Sequence, residues 1–359
     1  MVKTFHLASL AAALLAASLN SSACTGISLE STGSDKIVAR TIEWGASVLN
    51  SNIVVVPRGH QSETQTAYGP GMQYNNTLGY VGLSIEDKSF VVEGLNEKGL
   101  SAGLFFFPGY GTYPTYDRTL KQQTLSDMDF VAWVLGNAES VKSAKEMLSG
   151  IRLTERFKGA GTVHYRIADK SGEQIVVEII EGKMHIFDNP IGVLTNSPGF
   201  QWQMTNLNNY LNLKPGHTDS VNWSKVTLRS PGMGSGMVGL PGDITPPSRF
   251  VRAAFMTATA PQLKTADEAV LYSFKILNAF EIPIGLELKN QENPTGLLSA
   301  TQWTSVTDMS NARLYFKTMN DARIRLIDLK DIDFGKVSYQ SRPLETQQTE
   351  PIEKIKLTH

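Results

Sequence analysis

Cys24-Thr25-Gly26-Ile27-Ser28-Leu29-Glu30 and Lys36-Ile37-Val38-Ala39-Arg40-Thr41 are two short β-prone runs. Between them stands Ser31-Thr32-Gly33-Ser34-Asp35, a cluster of turn formers, so the pair reads as a hairpin. Upstream, Met1-Val2-Lys3 is a basic start, residues 5–19 form an Ala/Leu-rich apolar run, and Asn20-Ser21-Ser22-Ala23 supplies small residues. That order predicts a secretory signal peptide over 1–23, cleaved after Ala23. The apolar run is shorter than the ~20 residues of a membrane span, and no later segment reaches that length. The expectation is an exported protein, periplasmic or secreted, whose first residue is Cys24. A cysteine there is also where bacterial lipoproteins are lipidated, although Ser21 stands where a lipidation site prefers an aliphatic residue.

Downstream of the hairpin the pattern stays strand-rich. Residues 52–57 carry the run Ile53-Val54-Val55-Val56, and 80–85, 89–93 and 99–107 form a meander with turns at Glu86-Asp87-Lys88 and Asn96-Glu97-Lys98-Gly99. Helical spacing follows over 130–135, behind a capping-box-like Ser126 and Asp129, and over 140–148. Strands return at 163–168, 174–180 and 184–187. Two further helices are predicted at 248–259 and 265–280, the second with a capping box from Thr265 to Glu268, before strands at 302–307, 313–318 and 323–327. Strand groups, then paired helices, then strands argue against a doubly wound parallel sheet, which alternates β and α. Two antiparallel sheets covered by helices fit, and without a clean linker or repeat residues 24–359 read as one domain.

Composition narrows the function classes. The 359 residues hold 33 basic and 34 acidic side chains, a net charge of -1, so the electrostatic footprint of a nucleic-acid binder is missing. With 41% hydrophobic and 19% charged residues the chain can bury a large core. One cysteine excludes a disulfide framework, and the six histidines are scattered singly, so no metal site or cofactor is expected. Gly234-Ser235-Gly236-Met237-Val238-Gly239 spells G-x-G-x-x-G, but no predicted strand precedes it and Pro241 follows, so it reads as a glycine-rich loop at a pocket edge. The lone cysteine is the chemistry-bearing residue. A thiolate is a good nucleophile, and at a chain start the free α-amino group, with a pKa of about 7.7–8.0, supplies a base.

The Cys24–Leu29 run, followed by Arg40-Thr41-Ile42-Glu43-Trp44, resembles the start of the choloylglycine hydrolase family, N-terminal-nucleophile amidases that include bile salt hydrolases and penicillin V acylases. The resemblance continues through residues 94–104, 192–198, 239–243 with Ser248-Arg249-Phe250, and 302–306, covering essentially the whole chain after Ala23. It implies an α+β fold, a four-layer αββα sandwich. It implies Cys24 as nucleophile, Arg40 as the cation beside the thiol and Glu43 as the carboxylate holding the terminal amine, where many members carry Asp. Asn196 matches the asparagine whose amide binds the oxyanion, and Arg249 a second arginine of the site. Phe105 stands where many bile salt hydrolases have asparagine, so only its backbone N–H is left for the oxyanion. Phe105, Phe106, Phe107, Tyr110, Tyr113 and Tyr116 form an aromatic loop, which reads either as core for half of these residues or as a wall for a bulky acyl group. Residues 206–211 lie where relatives have a projecting hairpin used in tetramer assembly, which implies a homotetramer. The expected activity is hydrolysis of conjugated bile salts, with penicillin V or N-acyl homoserine lactones as alternatives. A lipid-anchored ligand-binding lipoprotein is the alternative of a different class.

Overall fold

The computed structural model describes residues 23–288 and 296–357, so of the expected leader only Ala23 lies within the described residues. Lys36–Glu43 is buried at every position except its first residue. It sits inside a five-stranded antiparallel sheet ordered Cys24–Glu30, Lys36–Glu43, Thr301–Asp308, Arg313–Thr318 and Asp321–Asp328. The chain's last described third thus pairs with its first hairpin.

The meander seeds a second sheet. Its eight antiparallel strands run Lys183–Asp188, Gln174–Ile180, Val163–Asp169, Leu100–Phe106, Val91–Asn96, Tyr80–Ile85, Ser51–Val56 and Gln340–Pro343. Helices Pro246–Ala258 and Ala266–Asn278 cover the five-stranded sheet, while Phe130–Asn137 and Val141–Leu148 cover the eight-stranded one. One continuous apolar core runs from helix to sheet to sheet to helix. The four-layer α+β sandwich of the sequence reading is the observed architecture. No helix among the described residues is long and apolar enough to cross a membrane.

Local chemistry explains the helix boundaries, with two departures from expectation. Ser140 caps Val141–Leu148 through a reciprocal bond with Ser143. Ser126 is not the helix cap: it ends the short strand Thr124–Ser126 and its hydroxyl accepts from the Met128 N–H, while the N-cap of Phe130–Asn137 is Asp129, whose carboxylate is taken by the Thr64 hydroxyl. Thr265 accepts from the Glu268 N–H, but Glu268 reaches back to the Lys264 N–H (2.6 Å) and leaves the box half closed. The projecting hairpin expected at 206–211 is displaced as well. Those residues continue helix Phe200–Asn206 into a 3₁₀ turn, and the hairpin is Val221–Trp223 with Val226–Leu228.

Gly94 fixes how closely helix Phe130–Asn137 seats on its sheet. A Cβ at that position would stand 2.5 Å from Leu135 Cδ1 and 2.7 Å from the Val81 carbonyl oxygen. Gly94→Ala is therefore expected to destabilise the protein by about 1–3 kcal/mol through overpacking. Urea unfolding checks this, and an unchanged midpoint would mean that the helix can shift freely.

Candidate active site

Cys24 opens the first strand, paired across to Ile42. The residue is 5% exposed and lines an apolar cavity together with Arg40, Glu43, Trp44, Phe90, Met128 and Phe106. The peptide on its amino side is held at both ends. The Ala23 carbonyl accepts from the Glu43 N–H at 2.9 Å, and the Cys24 N–H donates to Asn196 Oδ1 at 2.9 Å. Burial pushes the thiol up from its ordinary range; Arg40 opposes that most strongly, Glu43 adds to it, and Arg249 counters it. With its amino group tied up as an amide, this cysteine is a poorly ionised thiol.

Arg40 lies on the neighbouring strand, wholly buried between the sheets. Its Nη1 donates to the carbonyls of Leu104 (2.5 Å) and Val92 (3.3 Å), and its Nε to that of Thr41 (3.2 Å). The guanidinium rests 4.2 Å above the Phe105 ring. Its Nη2 has no protein partner among the described residues. Glu93 stands 3.8 Å away and binds Arg166 at 2.5 Å, so a buried carboxylate is shared by two buried cations. Only glycine fits beside it: a Cβ on Gly103 would overlap Glu93 Oε2.

Arg249, from the first turns of Pro246–Ala258, ties the remaining pieces together. Its Nη1 donates to the Cys24 carbonyl (2.5 Å) and Thr25 Oγ1 (2.8 Å), and its Nη2 to Asn196 Oδ1 (2.7 Å). Asn196 Nδ2 donates to the Phe106 carbonyl at 2.8 Å, which leaves its second amide hydrogen for another acceptor. Asn196 arrives there because Gly26 and Leu194 exchange backbone hydrogen bonds (2.7 and 3.1 Å) alongside the first strand. Glu43 Oε1 accepts from Thr301 Oγ1 at 3.1 Å, while Oε2 is buried without a partner among the described residues. Burial lifts this carboxyl to about 7, against the pull of Arg249, hydrogen bonds from Thr41 and Thr301, and Arg40.

The structure therefore brings together Cys24, Arg40, Glu43, Asn196 and Arg249. It corrects the aromatic wall. Phe106 lines the cavity, but the Phe105 ring lies beneath Arg40, where its Cζ would stand 2.9 Å from a Cβ on Gly26. Tyr110 is 54% exposed, packs tilted against Phe107 and is not among the residues lining the cavity; it follows the left-handed Gly109, whose φ is +79°. The wall is built instead by Leu49, Ile85, Phe90, Val92, Leu104 and Met128. Sequence reading missed Thr25, Thr301, Glu93 and Arg166. A carboxylate and a guanidinium inside otherwise apolar strands were the available signal for the last two; the threonines gave none.

Glu43 provides a pH test. A carboxyl raised from 4.5 to about 7 contributes stability that is complete below 4.5 and is lost as pH climbs through 7. In a chain retaining Ala23, Glu43→Gln lacks that loss. Relative to the variant, the parent is expected to lose on the order of 2–3 kcal/mol between pH 4.5 and 8. Urea unfolding at the two pH values measures it, and parallel pH dependences would show that Glu43 ionises without penalty.

Comparison with known proteins places this geometry. Residues 24–346 match the family of linear amide C–N hydrolases, the choloylglycine hydrolase family, and the match opens at Cys24. Over 318 residues the chain is 33% identical to a bile salt hydrolase/transferase of Clostridium perfringens, covering 85% of this chain and 92% of that one. A penicillin V acylase of Pectobacterium atrosepticum is 28% identical over 325 residues, 83% of this chain and 78% of that one. Among solved structures, a conjugated bile acid hydrolase from Clostridium perfringens superposes with a TM-score of 0.78 at 28% identity, over 93% of this chain and 100% of the other. A penicillin V acylase from Agrobacterium tumefaciens, at TM-score 0.74 and 24% identity over 91% and 94% of the two chains, shares the fold. The chain belongs to the choloylglycine hydrolase family: it is a linear amide hydrolase of the bile salt hydrolase and penicillin V acylase type, on the N-terminal-nucleophile hydrolase fold.

Proposed function

We propose that residues 1–23 are removed on export to the periplasm or medium and that Cys24 becomes the N-terminal nucleophile of a single domain, 24–359, hydrolysing glycine- or taurine-conjugated bile salts. The observation that carries this reading is that Cys24 lines the apolar cavity while its backbone nitrogen lies 2.9 Å from Asn196 Oδ1. A thiol buried beside Arg40 speaks against lipidation of that sulfur. Penicillin V and N-acyl homoserine lactones are the alternative substrates. The bile salt reading draws on the 33% relative and on room for a bulky acid: past Gly161 the apolar cavity adjoins a groove of about 550 Å³ lined by Tyr68, Tyr113 and Tyr116.

The chemistry follows from the positions. Freed from Ala23, the α-amino group takes the thiol proton, and the thiolate is favoured by Arg40. Sulfur bonds to the substrate carbonyl carbon while the carbonyl π electrons move to oxygen, where the second Asn196 amide hydrogen and the unpartnered Arg40 Nη2 are the available donors. Collapse breaks the C–N bond, the leaving nitrogen takes the proton from the ammonium, and a thioester remains. Water then attacks the thioester through the same base, releasing the acid and restoring the thiol. Glu43, its Oε2 unpaired, is the group placed to hold the amine.

For assembly we propose a homotetramer. Hairpin Val221–Trp223 and Val226–Leu228 exposes Trp223 (68%) and Val226 (59%), and an apolar surface of this kind on a projecting arm fits association between copies. Trp223→Ser is expected to sediment as a smaller species than the parent; identical sedimentation would exclude this arm from the interface.

The amine mechanism has a direct test. One form begins at Cys24; a second carries an uncleavable Met-Gly extension that turns the amine into an amide. Both should fold alike by circular dichroism. The extended form should hydrolyse amides at least 10²–10⁴-fold more slowly, the usual contribution of a base. Equal rates would assign the proton to an internal base. On the free-Cys form, kcat/KM for glycine- and taurine-conjugated bile salts should exceed that for penicillin V, and the reverse order would overturn the substrate reading.

A further inference from the structure

Behind the site lies a polar cluster that the mechanism above does not use. His164 is completely buried in strand Val163–Asp169, its ring stacked 4.5 Å from Phe107 at 11° and edge-on to Phe105 at 6.2 Å. Both ring nitrogens face oxygen: Nδ1 lies 3.0 Å from Glu178 Oε1, and Nε2 lies 3.0 Å from the Thr195 carbonyl. The carbonyl can only accept, so Nε2 carries a hydrogen and donates. Glu178 Oε1 also accepts from the Phe200 N–H at 2.9 Å, which fixes the carboxyl at the start of helix Phe200–Asn206. Thr195 is the residue before Asn196, and its hydroxyl is tied to the Pro246 carbonyl at 3.1 Å.

A neutral hydrophobe would fill the space between Phe107 and Phe105 as well as an imidazole does. Burying an imidazole and a carboxylate together is costly unless hydrogen bonds offset it, and here both ring nitrogens and Glu178 Oε1 are bonded while Glu178 Oε2 has no partner among the described residues. What these bonds hold is the main chain on which Asn196 is carried. We infer that His164, oriented by Glu178, is a positioning residue that sets the Asn196 side-chain amide through the Thr195 carbonyl. The inference rests on the reading of Asn196 as the oxyanion donor. Acting through Asn196, His164 touches neither substrate nor thiol.

Two substitutions separate the two nitrogens. His164→Gln places an amide near the Nε2 position and keeps a donor for Thr195; His164→Asn places it near Nδ1, keeps the Glu178 contact and loses the Thr195 bond. Active sites are counted by iodoacetamide titration of Cys24, and kcat and KM are measured on whichever conjugated bile salt or penicillin V the parent turns over faster. A misplacement of about 1 Å at a reacting centre can reduce rate by about 10²-fold. The expected result is a kcat at least tenfold lower for His164→Asn with KM within twofold, and His164→Gln within about threefold of the parent. Asn196→Ala alone should lose about 10²-fold, and adding His164→Asn to it should lose less than twofold more, since the group being positioned is gone. Equal loss in the Gln and Asn forms, a full further loss in the double variant, or a change confined to KM would each overturn the inference. If Asn196→Ala keeps the parent's kcat, it is the oxyanion reading that fails instead.

Should His164→Asn not accumulate folded, Glu178→Gln serves. Its amide oxygen must still accept from Phe200, so it faces Nδ1 as an acceptor, and a neutral ring then turns a bare Nε2 toward the Thr195 oxygen. A five- to tenfold fall in kcat that vanishes in the Asn196→Ala background supports the proposal; an unchanged kcat sinks it.

Discussion

A guanidinium with no exposed surface, Arg40, stands between two sheets, and much of the site can be derived from the demands of that charge. An unpaired buried cation is far too costly for a protein to carry. Leu104, Val92 and Thr41 supply carbonyls, Phe105 supplies a π face, and Glu93 supplies a countercharge that it shares with Arg166. Leu104, Val92, Phe105 and Glu93 belong to the eight-stranded sheet, so these partners fix it relative to the hairpin that carries Cys24. The Phe105 ring can reach under Arg40 because Gly26 has no side chain, and Glu93 fits because Gly103 has none. The cation that favours the thiolate is thus also a clamp between the layers.

Which parts of this were legible in the sequence follows from the range of the forces involved. Strands and turns depend on local alternation and on Gly, Asn and Asp, so the hairpin, the meander and the later strands were placed to within a few residues. Cys24, Arg40, Glu43, Asn196 and Arg249 could be grouped from the sequence because they lie in blocks whose order resembles a family, and the fold brings the five together. The aromatic wall holds only in part, with Tyr113 and Tyr116 lining the adjoining groove, because neighbouring residues on a strand point to opposite faces. Phe106 lines the cavity and Phe105 cannot do so as well, while Tyr110 lies past the turn at Gly109. Thr301 and Leu104 reach the site only through sheet pairing across long stretches of sequence, and no local pattern encodes that pairing.

The chain that still carries Ala23 and the chain that begins at Cys24 are electrostatically different objects at one point. In the first, the Cys24 nitrogen is a neutral donor to Asn196, and burial of Glu43 outweighs the pull of Arg249 and Arg40, so its carboxyl is raised to about 7. Breaking the Ala23–Cys24 bond removes a carbonyl that occupied the Glu43 N–H and places an amine capable of charge in the same enclosure. A carboxylate beside a new ammonium is favoured over its neutral form, and the ammonium in turn is favoured by the carboxylate. Under the mechanism proposed above, the two groups would act as a coupled pair and would receive the proton that the thiol gives up. Glu43 carries one methylene more than the aspartate common at this place in the family, so its carboxyl lies farther from its own backbone. Thr301 compensates by hydrogen-bonding Oε1 from the adjacent strand, across the irregular pairing at Thr301 and Trp303. That leaves Oε2 without a hydrogen-bond partner among the described residues, the state in which a buried carboxylate oxygen gains most from an added donor.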